Sequence, residues 1–161
     1  MKTPIAMLLV TGLVAGALAQ NKPDFTGVWV PGEVKSDAAR GGGGVAALPP
    51  SDLTIQHTPA ALAISKTAFD IVTTQTYKLD GSESTNKSGA VVRVTRSRWD
   101  GPRLVIEGKA SQVTSAGPAE WIFKETYSLN ASGRLLLTSV YVSTDGTTTR
   151  STQEFSRKPT K

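Results

Sequence analysis

Phe25-Thr26-Gly27-Val28-Trp29 decides how this chain is read. A glycine two residues before a tryptophan, inside a short run of β-formers, is the opening of a strand rather than of a helix. It follows closely on a different kind of signal. Met1-Lys2 precedes an uncharged apolar run from Ile5 to Leu18, and Ala17-Leu18-Ala19 supplies small residues in alternation before Gln20. A basic start, an apolar stretch of about 14 residues and a small-x-small site have the form of a secretory signal peptide. The stretch is shorter than the roughly 20 residues that span a bilayer. The expectation is therefore a signal peptide at residues 1–19, and a mature domain over 20–161 exported to the periplasm or beyond, with no membrane span after cleavage.

Composition narrows the chemistry further. The 161 residues contain no Cys, which removes disulfides, thiol catalysis and thiolate metal sites together. Lys and Arg outnumber Asp and Glu by 18 to 13, a net charge of +5. The basic residues are spread along the chain apart from Arg93, Arg96, Arg98 and Arg103, too sparse a face to indicate nucleic acid. The single His, His57, stands beside Thr58-Pro59 and reads as a surface residue at a hairpin end. One His assembles neither a multi-histidine metal site nor a serine-hydrolase triad. No metal or other cofactor is expected, and no enzyme.

Residues 31–51 hold Arg40-Gly41-Gly42-Gly43-Gly44 and Pro49-Pro50. Four consecutive glycines without a following Lys-Ser/Thr are a flexible loop and not a phosphate cradle. Beyond it, short β-rich runs recur near 53–57, 62–67, 71–79, 90–99, 103–111, 120–129, 134–142 and 147–157. They are separated by turn signals at Thr58-Pro59, Asp80-Gly81, Asp100-Gly101, Asn130 to Gly133 and Asp145-Gly146. A weak helical signal covers only Ala60–Ser65. With the opener at 25–30, the pattern predicts an all-β domain: a single up-and-down antiparallel barrel of about 8–10 strands.

Opposed residues across a hairpin share a face, so the turns also assign faces. Trp121, Phe123, Glu125, Tyr127 and Leu129 are expected to point inward. A four-residue loop at Asn130–Gly133 would add Leu136, Thr138, Val140 and Val142. The Asp145-Gly146 turn would add Thr149, Ser151, Gln153, Phe155 and Arg157. Val91, Arg93, Thr95, Ser97 and Trp99 face inward with Leu104 and Ile106, as do Ile71, Gln75 and Tyr77. Such an interior mixes aromatics with polar and charged groups, whose burial without partners costs several kcal/mol each. Either a ligand or water meets them in a hollow barrel, or Arg93 and Glu125 pair with each other in a filled one.

The Phe25–Trp29 opener resembles that of the calycin superfamily, the lipocalins and fatty-acid-binding proteins. In that group a Gly-x-Trp strand starts the barrel and a basic residue near the last strand stacks on the Trp. The resemblance assigns Gly27, Trp29 and Arg157 to barrel closure. Leu79-Asp80-Gly81, Trp99-Asp100-Gly101 and Tyr127-Ser128-Leu129 are further similar to small lipocalin-like proteins exported by soil bacteria. The absence of Cys and the Gly-rich first loop depart from lipocalins, and the lack of a helix pair after the first strand departs from fatty-acid-binding proteins. The implied function is the binding of a small hydrophobic or amphiphilic molecule inside the barrel, by Tyr77, Arg93, Trp99, Trp121, Phe123, Glu125 and Tyr127. Arg93 is the candidate anchor for a ligand carboxylate. A filled structural or protein-interaction domain is the alternative, and a cavity enzyme using Tyr127, Arg93 and Glu125 a third.

Overall fold

The computed structural model describes residues 22–36, 51–68 and 70–159. The expected signal peptide and the Gly-rich segment 37–50 lie outside them. Ten strands run in sequence order: β1 (Gly27–Ser36), β2 (Leu53–His57), β3 (Ala61–Ala68), β4 (Ile71–Lys78), β5 (Ser84–Ser88), β6 (Val91–Asp100), β7 (Arg103–Thr114), β8 (Gly117–Leu129), β9 (Leu135–Ser143) and β10 (Thr148–Arg157). All pairings are antiparallel, in the order β4-β3-β2-β1-β10-β9-β8-β7-β6-β5. The meander is thus joined through β1 and β10, with Trp29 opposite Arg157. The result is the all-β, nearly closed up-and-down barrel that the turn spacing predicts.

Closure of the last seam does not use a backbone ladder. Between β4 and β5 the bonds are made by side chains: Asn86 Oδ1 accepts from the Thr76 N–H at 2.7 Å, and Asn86 Nδ2 donates to the Thr76 carbonyl at 3.0 Å. The Lys78 N–H donates to Ser84 Oγ at 2.9 Å. An Asn amide carries one donor and one acceptor side by side, so it stands in for a peptide unit. This is why β5 is so polar, Ser84-Thr85-Asn86-Lys87-Ser88, and why its alternation was invisible as a strand pattern. Its inward residues Ser84 and Asn86 are buried without being apolar.

One end of the barrel is packed shut. Trp29 and Phe25 are fully buried with Leu53, Leu104, Tyr127, Leu135 and Phe155 around them. The Trp29 Nε1–H donates to the Phe25 carbonyl at 2.8 Å, and the Arg157 guanidinium lies 4.6 Å from the Trp29 ring centroid. Gly27 is required by its backbone. Its φ of +146° is one that L side chains rarely adopt, whereas an added Cβ would meet Arg157 Nη1 only at an ordinary contact distance of 3.4 Å. Gly27, Trp29 and Arg157 are therefore one closing unit. A second glycine is dictated by approach rather than by φ: a Cβ on Gly108 would lie 2.0 Å from the Val94 carbonyl oxygen on the neighbouring strand.

Several expectations are corrected. The first strand does not stop at Val30; it continues through an irregularity between Pro31 and Val34 to Ser36, so the predicted 31–51 loop loses its first six residues to β1. The Ala60–Ser65 region is strand β3, not helix. The inner face of β9 is Leu135, Leu137, Ser139 and Tyr141 instead of Leu136, Thr138, Val140 and Val142. Leu129 is paired with Leu135, which leaves five residues in the loop where four were counted. Asn130 accounts for the extra one, its Oδ1 accepting from the N–H groups of Ser132 and Arg134. The next loop is also one residue longer than counted, with the Ser143 N–H bonded to the Thr147 carbonyl. Two odd slips cancel, and the inward set of β10 comes out as expected. Ile71 keeps its inward parity, but at the rim it is 68 % exposed.

Two stability tests follow. Trp29→Ala removes a fully buried indole and should cost about 3–5 kcal/mol in urea unfolding. Asn86→Ala leaves the Thr76 backbone groups without partners. It should cost about 1–3 kcal/mol and speed hydrogen exchange at the Thr76 amide selectively.

Candidate functional site

Every second residue of a strand faces the lumen, so four separate strands deliver the polar interior. Arg93 comes from β6, Glu125 and Tyr127 from β8, Tyr141 from β9, and Gln75 and Tyr77 from β4. Arg93 Nη2 donates to Glu125 Oε1 at 2.7 Å, while Arg93 Nη1 donates to Gln75 Oε1 at 2.8 Å. The Tyr77 hydroxyl donates to the same Gln75 oxygen at 2.6 Å. Glu125 takes two further bonds, from the Tyr141 hydroxyl at 3.0 Å and the Tyr127 hydroxyl at 3.1 Å. The Arg93 guanidinium also covers the Phe123 ring, 3.9 Å from its centroid. One connected network thus crosses the lumen from β4 to β9.

The electrostatics follow from burial. Desolvation pushes the Glu125 carboxyl up, but Arg93, with help from Lys66 and the donated hydrogen bonds, outweighs it and leaves Glu125 below the usual carboxylate range. Burial lowers the affinity of Arg93 for its proton, and Glu125 more than restores it, so the guanidinium stays charged. Burial, then the Glu125 charge, raises the hydroxyls of Tyr77, Tyr127 and Tyr141 well above their ordinary value of 10. These phenols are fixed as neutral donors. Arg93, offered by the sequence as a ligand anchor or as half of an ion pair, is in the ion pair.

Five of the seven residues expected to line a ligand site share this neighbourhood: Tyr77, Arg93, Phe123, Glu125 and Tyr127. Trp121 lies two residues from Phe123 along β8, on the same face and nearer the rim, and is half-buried. Trp99 is elsewhere. It stacks on Phe25 at 6.0 Å at the closed end, with His57 5.8 Å away and Lys22 5.4 Å from its ring. The imidazole of His57 is 11 % exposed and wedged beside Phe25 and Trp99, so it is a packing element of the closed end, not a surface residue. Tyr141 was missed because the miscounted loop turned it outward. Gln75 was placed inward but given no role. Lys66, whose parity follows from its pairing with Leu53 and Thr73, was not considered.

The lumen changes character along its length. From the closed end to Tyr127 it is filled by buried side chains. At the other end, inner-face residues Thr73, Gln75, Val91, Trp121, Tyr141 and Thr149 are only half-buried, and Lys66 is exposed. Inside, Ser97 Oγ and Gln153 Nε2 are buried with no hydrogen-bond partner among the described residues. Concavities of about 340 and 360 Å³ lie on the outside of the closed end, against Arg157 and against Trp99, away from this network. No group of three or more His, Asp or Glu among the described residues could hold a metal ion.

No protein-family model matches the sequence, and no curated protein is significantly similar to it. Solved structures do match in shape. A structure described as the REP1-NXSQ fatty acid transporter superimposes with a TM-score of 0.57 at 13 % identity, covering 84 % of this chain and 97 % of its own. Apo lipid binding protein 8 of Caenorhabditis elegans gives 0.55 at 15 %, covering 83 % and 95 %. Human cRBP IV gives 0.54 at 14 %, covering 84 % and 99 %. At such identities the likeness is one of fold, and the fold is the calycin-type barrel.

The ion pair predicts a defined pH response. Because the folded-state Glu125 sits below its ordinary value near 4.5, its contribution is complete above that pH and is lost as pH falls through the folded value. Glu125→Gln leaves Arg93 buried without its counter-charge and should cost about 3–5 kcal/mol. The double change Arg93→Met with Glu125→Leu should cost far less and flatten the acid limb of a stability–pH curve measured by urea unfolding.

Proposed function

We propose that this protein is an exported, non-catalytic carrier that holds one small apolar or amphiphilic molecule in the open half of its barrel. The observation that carries the reading is the change along the lumen: side chains fill it below the Arg93–Glu125 network, and the inner face above is reachable by solvent. Trp121 and Tyr141 offer aromatic contact there, and Gln75 offers an amide donor. The structural neighbours, among them a fatty acid transporter and a lipid binding protein, support the same use of the same fold. Export rests on the N-terminal signal at residues 1–19, which leaves Gln20 as the mature start.

A second reading has its own observation. Ile71, Val72 and Val113 are 68, 63 and 78 % exposed around the open end, as suits a protein-interaction surface on a barrel that takes no ligand. A cavity enzyme built on Tyr127, Arg93 and Glu125 is the weakest of the three. Those groups bind one another, and the phenols are held protonated.

Native mass spectrometry of the mature protein, purified gently from its own host, separates the first two. The carrier should show a reproducible extra mass that denaturation removes. A bare mass that persists after soaking with apolar small molecules would favour the interaction domain.

A further inference from the structure

The outside of the closed end holds a concavity of about 360 Å³ that is separate from the lumen. Trp99, His57, Pro59 and Leu79 supply its apolar and aromatic lining, and Lys22 and Asp24 its charges. Four parts of the chain meet there: the approach to β1, the turn from β2 into β3, the exit of β4 and the end of β6. The Leu79 N–H donates to the Ala60 carbonyl at 2.9 Å, which ties the exit of β4 to the β2–β3 turn. Trp99 and His57 both pack on the fully buried Phe25, so the aromatic lining is fixed before anything binds.

The two charges are not spent on each other. Lys22 Nζ lies 5.4 Å from the Trp99 ring centroid and makes no ion pair among the described residues. Asp24 Oδ1 accepts from the Thr26 N–H at 2.8 Å and lies 3.5 Å from His57 Nδ1. Asp24 Oδ2 has no partner among the described residues. Hydrogen bonding from Thr26 holds this carboxyl below the usual carboxylate range, so it is ionised at neutral pH. Only Pro23 separates Lys22 from Asp24, so their Cα atoms are at most about 7 Å apart. An ammonium and a carboxylate thus border one apolar slot, close together and unpaired.

We infer that this concavity binds a free α-amino acid with a large apolar side chain. The ligand's carboxylate meets Lys22, its ammonium meets Asp24, and its side chain lies on Trp99, Pro59 and Leu79. Charge complementarity selects the class. A simple amine brings a like charge to Lys22, and a simple carboxylate brings one to Asp24. A neutral molecule takes water from both charges and replaces it at neither. A zwitterion with its charges far apart does not fit two partners that are neighbours along the chain. The site lies outside the barrel, so it stands or falls independently of the carrier reading of the lumen.

L-Phenylalanine, 2-phenylethylamine and 3-phenylpropanoate share a ring and differ in charge. In calorimetric titrations of the mature protein at pH 7.5, phenylalanine should bind about fivefold more tightly than either of the others, roughly 1 kcal/mol, as one exposed charge pair contributes at most. Lys22→Gln should remove the advantage over phenylethylamine alone, and Asp24→Asn the advantage over phenylpropanoate alone. Lys124→Gln, on the outer face of β8, should change neither. Phenylalanine should also shift the amide resonances of Leu79 and Trp99 and leave that of Gln75, in the lumen, in place. No binding of phenylalanine, equal affinity for the three ligands, an advantage that survives both substitutions, or shifts at Gln75 in place of Leu79 and Trp99 overturns the site.

Discussion

A carboxylate and a guanidinium are buried together in the lumen, and most of the interior is arranged around that fact. Glu125 is 3 % exposed, so bulk solvent does not reach it to replace a lost partner. Ion pairs in such surroundings repay their desolvation only when the remaining lone pairs and protons are bonded as well. Several of them are. Tyr127 and Tyr141 donate to the carboxylate, and Gln75 and the Phe123 face meet the guanidinium. Each of these residues comes from a strand whose register must be correct to within one residue, because a slip of one reverses the face. The pair therefore selects the registers of β4, β6, β8 and β9 together, even where its net contribution to stability is small.

The same economy explains the two ends and the seam. At the closed end the cation over an aromatic ring is Arg157 on Trp29, with Gly27 alongside. At the β4–β5 seam, Asn86 and Ser84 side chains bond the Thr76 and Lys78 backbone in place of peptide groups. Both devices spend polar side chains on closing the barrel, so that few unpaired backbone edges remain. Neither takes part in the proposed recognition of a ligand. The closed end and the seam set the shape of the barrel.

How much of this was legible in the sequence depended on which residues carried the signal. Turns with Gly at a position of positive φ, as at Gly101, Gly133 and Gly146, announced their hairpins. The large residues of β8 alternate so strictly that Phe123, Glu125 and Tyr127 declared a common face. Strand β5 was illegible because its inward positions are Ser and Asn, chosen for bonding across the seam and not for burial of apolar area. Tyr141 was lost to a loop whose fifth residue is stabilised by the Asn130 side chain, a detail that residue counting does not contain. Lys66 was overlooked for a different reason: on an exposed rim, an inward lysine and an outward one look alike until cross-strand partners are known.

The position of the polar network also limits the ligand. From Gln75 to Ile71 at the rim is four residues, about 13 Å of strand, and a strand tilt near 40° reduces this to a depth of about 10 Å. Below that level the space belongs to Trp29, Phe25, Tyr127 and their neighbours. In the proposed carrier, the space left for a ligand is therefore the outer half of the barrel. The exposed Ile71, inward by parity at the rim, then has a place in the same scheme: it extends the inner apolar surface to the mouth. For the carrier reading, a floor whose polar groups already bond one another trades enclosure for preorganisation.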